Sequence, residues 1–229
     1  MGDVCTNHFF YADDICLLAP SSSAMQQLLN VCASYGERHD IIFNPLKSLF
    51  LVFYPRRFNA CMSDVFLGAS SLPVVTQAKY LGVLLNSSQC DNTEIAKQYS
   101  LLYARCNTIL RKFKHCSFDV KRQLFTSYCT NFYCMPLWNN FTQCTLKKAK
   151  VAYNNVFRML FNYDRRSSAS LMFVTHNVPG FDALLRKCIF SFHSRLHFSH
   201  NSILNVLFSH PHALFNRILL RWRDVLHVH

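Results

Sequence analysis

The sequence is short of glycine, of acid and of long apolar runs. It has 5 glycines in 229 residues, which excludes a collagenous chain and a Gly-rich linker. Asp and Glu number 12 against 24 Lys and Arg, leaving a net charge of +12. Charged residues make up 16% of the chain and hydrophobic ones 51%, a balance that excludes a disordered segment. The longest unbroken apolar stretch, Leu49 to Tyr54, is far too short to cross a bilayer, so no membrane partner is expected. Met1 is followed by Asp3 and a mixed stretch rather than a basic and then an apolar region, so no secretory signal is read. The 11 cysteines include no C-x-x-C pair. An odd number of thiols without an export signal points to a reducing, intracellular compartment, cytoplasm or nucleus. Cys16, Cys32, Cys106 and Cys188 fall on apolar faces and read as small core hydrophobes.

What charge there is lies unevenly. Residues 1–91 hold five Lys/Arg and seven Asp/Glu, a net −2, whereas residues 92–229 hold nineteen and five, a net +14. A segment this basic repels itself unless something anionic lies near, and nucleic acid is the commonest such partner inside a cell. A solvated basic surface is the plainer alternative.

The pattern of apolar residues changes at the same place. His8–Tyr11 and Ile15–Ala19 flank Ala12-Asp13-Asp14, which predicts a hairpin with an acidic turn. Ser23 and Gln26 form a capping box before a helix whose apolar residues are Met25, Leu28, Leu29, Cys32 and Tyr35, with Gly36 as its stop. Ile41–Phe43, Leu49–Tyr54, Val65–Leu67, Leu72–Val75 and Tyr80–Leu85 read as short strands. Asp91-Asn92-Thr93 then opens a helix of about 22 residues, with Ile95, Tyr99, Leu102, Cys106, Ile109 and Phe113 on one face. Further helices are expected from Val120 to about Met135, through Leu146, Ala149, Tyr153, Val156 and Leu160, through Phe181, Leu185, Cys188 and Phe192, and from Ala213 to Leu226. The expected fold class is α+β, with strands concentrated in residues 1–90 and helices in 91–229.

Two adjacent aspartates at the tip of an apolar hairpin repel each other. A divalent cation removes that objection, because Mg²⁺ takes hard oxygen ligands. A solvated turn rich in Asp is the plainer reading. The surrounding residues decide between them. Phe10-Tyr11-Ala12-Asp13-Asp14-Ile15-Cys16-Leu17-Leu18-Ala19-Pro20 resembles the Y/F-A-D-D box of reverse transcriptases. Asp40-Ile41-Ile42-Phe43-Asn44-Pro45-Leu46-Lys47-Ser48 is similar to the next palm motif of non-LTR (LINE-type) retrotransposon polymerases. Lys79-Tyr80-Leu81-Gly82-Val83 resembles the Y-L-G element that precedes the thumb. The stretch from Phe157 to Asn177 and beyond is similar to the basic helical tail of animal LINE elements of the jockey-like kind.

The resemblance covers essentially the whole chain. It implies a partial polymerase palm over 1–90, made of short antiparallel strands and one helix. A helical thumb-like region over 91–163 and a helical C-terminal tail over 164–229 follow. The implied activity is RNA-directed DNA polymerisation by two-metal nucleotidyl transfer, with Mg²⁺ as cofactor and with an RNA template, an RNA–DNA hybrid and dNTP as partners. Asp13 and Asp14 match the metal-binding, catalytic pair. Tyr11 matches the residue that backs the primer end or the incoming nucleotide. Lys47 matches a lysine that approaches the pyrophosphate leaving group, a candidate general acid. Tyr80, Leu81 and Gly82 match the primer grip. Arg111, Lys112, Lys147, Lys148, Arg165 and Arg166 are the basic positions expected to meet phosphate. Tyr153, Phe157, Phe161 and Tyr163 keep helical spacing and read as core rather than as base-stacking platforms.

The family's metal site also needs a third carboxylate from an earlier strand, and fingers that hold the template. Only ten residues precede Tyr11, and Asp3 lies on the approach to the same hairpin. The expectation is a truncated polymerase that is inactive alone; the alternatives are a non-catalytic basic module that binds RNA or an RNA–DNA hybrid, and a decayed reading frame without activity. His193, His197 and His200 fall at i, i+4 and i+7, but no acid or thiol completes a tetrahedral zinc set around them.

Overall fold

The computed structural model describes residues 6–53, 63–209 and 213–226. Readings that fall on Asp3, Tyr54, Pro55, His210, His212, His227 or His229 lie outside them. The chain divides into two compact units, Met1–Gln89 and Cys90–His229, and mixes strand with helix as an α+β chain does.

In the first unit the strands are short. β1 (His8–Tyr11) pairs antiparallel with β2 (Asp14–Leu17). Helix α1 (Ser22–His39) follows. Then come β3 (Phe50–Leu51), β4 (Phe66–Leu67), β5 (Ser70–Ser71), β6 (Val74–Val75), β7 (Gln77–Tyr80) and β8 (Val83–Asn86). Among the described residues these make four separate two-stranded pairs rather than one sheet. Three pairs are antiparallel, and β3 with β6 is parallel. The single strand expected over Tyr80–Leu85 is instead the turn and second strand of a hairpin. Leu81 and Gly82 both adopt positive φ, 46° and 84°, the backbone twist that a two-residue hairpin turn requires. Ile41–Phe43 forms no strand.

Helix α1 begins and ends differently from the expectation. Its N-cap is Ser21, whose hydroxyl accepts from the Ala24 N–H at 3.2 Å. Gln26, expected to complete a capping box, reaches away. Its amide accepts from the Phe66 N–H at 2.7 Å and donates to the Phe66 carbonyl at 2.9 Å. The side chain thus stands in for a strand neighbour of β4. Nor does Gly36 stop the helix. The chain turns at Asp40, in the left-handed region at φ 55°. Gly36 is buried because the chain folds back over it, and a Cβ there would sit 2.6 Å from the Ile41 carbonyl oxygen. The core of this unit is small: Leu29, Phe50, Val65 and Leu72, with Leu17, Met25, Val52 and Leu67 against them.

The second unit is helical: α2 (Asn92–Lys112), α3 (Phe118–Tyr128), α4 (Gln143–Phe161), α5 (Ala169–Thr175), α6 (Phe181–His197), α7 (Ser202–Ser209) and α8 (Ala213–Leu226). Helices α2 and α4 pack along each other and run parallel. At their starts the Thr142 N–H donates to Asn92 Oδ1 at 2.9 Å. Further along, the Cys106 thiol meets the Val156 carbonyl at 3.8 Å. Asp91 holds the two starts together. Its carboxylate accepts from the N–H groups of Asn139 and Asn140 at 2.7 and 2.8 Å, so it ties down the approach to α4 instead of capping α2.

Helix α3 ends at Tyr128, well before the expected Met135. The Arg105 guanidinium takes the carbonyls of Tyr128 and Asn131 at 3.2 and 2.9 Å, so both are turned away from a helical ladder. A short 3₁₀ turn, Met135–Leu137, follows and seats Met135 in the core. The core runs without a break from Ile95 to Trp222 and crosses the 163/164 division. Aromatic rings fill its centre. Phe125 meets Phe157 edge-on at 5.0 Å, and Tyr153 stacks on Phe173 at 5.3 Å. Such pairs add about 0.5–1.5 kcal/mol each beyond the area they bury. Tyr153 and Phe157 are wholly buried, and Phe161 and Tyr163 pack against them. These four aromatics are therefore core, as their spacing indicates.

Helix α8 closes the unit. The Trp222 indole N–H donates to the Pro136 carbonyl at 2.9 Å. Arg221 lies over the Phe141 ring at 4.1 Å. Burial pulls its pKa down to about 10, and the nearby Asp91 carboxylate opposes that shift.

Candidate functional site

The acidic hairpin turns in two residues. Tyr11 pairs with Asp14, so Asp14 is the first residue of β2 and only Ala12 and Asp13 form the turn. Ala12 sits at φ 50°, a conformation that costs an alanine about 1–2 kcal/mol. Both carboxylates are exposed, and Tyr11 beside them is 65% exposed. Among the described residues, no group of three or more His, Cys, Asp or Glu side chains stands together to hold a metal ion. Asp13 and Asp14 are donors of the kind Mg²⁺ takes. Two carboxylates nevertheless fall short of the three that the resemblance requires, so this donor set does not by itself fit a two-ion site.

Desolvation, and then the charges of Cys16 and Asp14 on the acidic hairpin, raise the pKa of the Tyr80 hydroxyl above the ordinary tyrosine value. Leu81 and Gly82 lie at the tip of the β7–β8 hairpin, where the positive φ of Gly82 serves the turn. Lys47 is exposed in the turn at 44–48, where its N–H donates to the Asn44 carbonyl at 3.2 Å. Among the described residues its ammonium makes no hydrogen bond or ion pair.

The basic positions expected from the sequence are exposed and spread along the helical unit. Arg111 and Lys112 occupy the last turn of α2, where cations also complement the helix dipole. Arg165 and Arg166 follow α4, in a turn that Asp164 organises by accepting from the Arg166 N–H at 2.7 Å. Lys147 and Lys148 lie in the first half of α4. Among the described residues the ion pairs are Lys97–Glu94, Arg122–Asp119 and Lys150–Asp182. None of the six expected positions is in one.

Lys147 and Lys148 border a shallow groove of about 390 Å³ between α2 and α4. Tyr99 and Tyr103 supply its α2 side, and Cys144, Val151 and Ala152 complete the α4 side. The helical period places Tyr99 on the apolar face of α2 and does not single out Tyr103. The signal was a Tyr pair one turn apart, but only the parallel pairing of α2 with α4 sets it opposite the lysines.

The other constellations are structural. Helix α6 stops at His197, so His200 does not share its face. His193 packs on the Trp222 ring at 5.6 Å. Burial pushes the Cys106 thiol up to about 11 and Cys129 up to about 12, which leaves both as neutral packing groups. Cys16, Cys32 and Cys188 are half-buried. No protein-family model, no curated protein and no solved structure matches the chain.

Proposed function

We propose that this chain is part of a reverse transcriptase of the non-LTR retrotransposon kind, and that by itself it binds RNA or an RNA–DNA hybrid without turning over nucleotides. The observation that carries the reading is the separation of charge. Residues 92–229 hold a net +14, and the exposed cations Arg111, Lys112, Lys147, Lys148, Arg165 and Arg166 are left unpaired among the described residues. Each such group on a phosphate releases counterions, so affinity falls steeply as salt rises. The lineage is supported by the three motifs in family order. In intact members of that family, Asp13 and Asp14 would hold Mg²⁺ for transfer of a nucleotide from dNTP. Two carboxylates with no third acid grouped beside them among the described residues favour binding over turnover.

A second reading, residual polymerisation, draws on the Asp14 charge being felt at the Tyr80 hydroxyl. One experiment separates the two. The full chain is mixed with an RNA template annealed to a DNA primer, with dNTP and Mg²⁺, and both retention and extension are followed across a salt series. The expected result is retention that weakens steeply with salt and no extension. Extension that needs Mg²⁺ and disappears in Asp13→Ala would establish the polymerase reading. Retention that ignores salt, or none at all, would remove the binding reading.

A further inference from the structure

We propose that the groove between α2 and α4 receives an unpaired stretch of nucleic acid, with a nucleobase against Tyr99 and Tyr103 and its flanking phosphates on Lys147 and Lys148. This rests on the nucleic-acid-binding reading above and narrows it to a site and a strand state.

The shape comes first. Tyr99 and Tyr103 are one helical turn apart and share a face of α2. Both rings are half-buried, so each keeps part of its surface toward solvent. Among the described residues neither ring pairs with another aromatic, unlike the rings of the core. On α4, Cys144, Lys147, Lys148, Val151 and Ala152 fall at helical spacing and line the opposite wall. The space between, about 390 Å³, is at the low end of small-ligand sites. A flat ring fits such a slot and a duplex does not.

The chemistry narrows the occupant. The groove has an apolar floor and no acidic residue in its lining. Its two lysines are exposed and unpaired among the described residues. Lys150, close by on the same helix, is neutralised by Asp182, and Lys97 on α2 by Glu94. Positive charge is thus left free at the lip of an apolar groove that α2 and α4 form together. An acidic peptide would satisfy the lysines and leave the tyrosine rings idle. An unpaired nucleic acid uses both, because every base has a face that stacks on an aromatic ring and every linkage carries a negative charge. Recognition of this kind tolerates any base sequence.

The test uses the full chain, a short oligouridylate and an RNA–DNA hybrid of the same length, titrated by fluorescence anisotropy at several salt concentrations. Tyr99→Leu and Tyr103→Leu are expected to weaken oligouridylate binding by at least about fivefold each, while hybrid binding changes less than about twofold. Replacing Lys147 and Lys148 by Ala is expected to lower the salt slope for oligouridylate by about one per lysine. If the tyrosine variants weaken both ligands equally, or neither, the groove proposal fails and the wider phosphate-gripping reading stands. If the unaltered chain binds neither ligand in a salt-dependent way, both fail. If polyglutamate displaces oligouridylate as well as oligouridylate displaces itself, the site is one for acidic peptide and the proposal fails. Should the variants not fold, photo-crosslinking of 4-thiouridine RNA to the unaltered chain decides. Adducts on Tyr99, Tyr103 or the facing stripe of α4 are expected, and adducts confined elsewhere overturn the proposal.

Discussion

The two units are built to very different depths. Among the described residues the helical unit buries more than twenty apolar side chains in one continuous core, whereas four make up the core of the first unit. The first unit instead relies on short strand pairs, on the Gln26 amide and on tight turns. The unit with the deep core carries the surplus of positive charge, and the shallow one carries the adjacent aspartates of the hairpin. A firm helical scaffold can present charge without moving, which suits a surface that grips phosphate. The acidic hairpin has no comparable support among the described residues, and Phe10 and Tyr11 on it remain open to solvent.

This contrast is most strongly challenged through the core. Phe157→Ala should cost about 3–5 kcal/mol and abolish the cooperative unfolding of the helical unit in urea, followed by helical circular dichroism. Leu29→Ala, made in the first unit, should leave that transition in place. If both variants abolish it, the units do not fold independently and the contrast fails.

A smaller effect is expected at the joined helix starts. Asp91→Ala removes the acceptor of two backbone N–H groups and the carboxylate nearest Arg221. The loss should be about 2 kcal/mol, seen as a lower urea midpoint for the helical transition with an unchanged slope. A midpoint that does not move would mean that Asp91 is not what joins α2 to α4.

His176 gives a pH signature that belongs to the helical unit alone. Its ring packs against Phe118 and Phe161, and Nε2 meets the Tyr163 hydroxyl. Desolvation, and then Arg122, hold its pKa below the ordinary 6.5. The native state thus favours the neutral ring. Its contribution is fully present above the unfolded value and is lost as pH falls through 6.5 toward the lower folded value. Stability should therefore decline as pH falls through 6.5, with a shallower decline in His176→Phe. Equal slopes in the two proteins would rule this out.

The smallest effect belongs to the first unit. Leu81 holds a positive φ that suits asparagine or glycine better. Leu81→Asn should stabilise the β7–β8 hairpin by about 0.5–1 kcal/mol, read as slower amide exchange at Gln77–Tyr80. Faster exchange would show that the Leu81 side chain contributes more by packing than the turn loses by strain.

The sequence made the helices far more legible than their arrangement. Ile95, Leu102, Cys106 and Ile109 repeat at a helical period, and all four are buried. Glu94 and Gln98 share that burial against the trend, because their side chains satisfy each other at 2.6 Å, which no periodicity reports. Helix α5 is too short to show a period. The end of α3 depends on Arg105, more than twenty residues away. Gly36 marks a close approach of the chain where its position suggested a helix end. At the candidate site, the acidic hairpin and the basic positions could be read from residues alone. The groove shared by Tyr103 and Lys148 depends on tertiary pairing that local sequence does not encode.

The parallel pairing of α2 with α4 also sets the order in which the helical unit can form. Antiparallel neighbours close through a short loop as soon as the second helix exists. Here the partners of Asp91 are Asn139 and Asn140, and the partner of Cys106 is Val156. Closing a loop of that length adds an entropic cost that grows by about 0.6 kcal/mol with each doubling. During synthesis, the face of α2 bearing Ile95, Leu102, Cys106 and Ile109 therefore stays without its native cover until α4 has left the ribosome. A chain released before that point would present an apolar stripe to its neighbours, and this makes the interval between the two helices an aggregation-prone stage of synthesis.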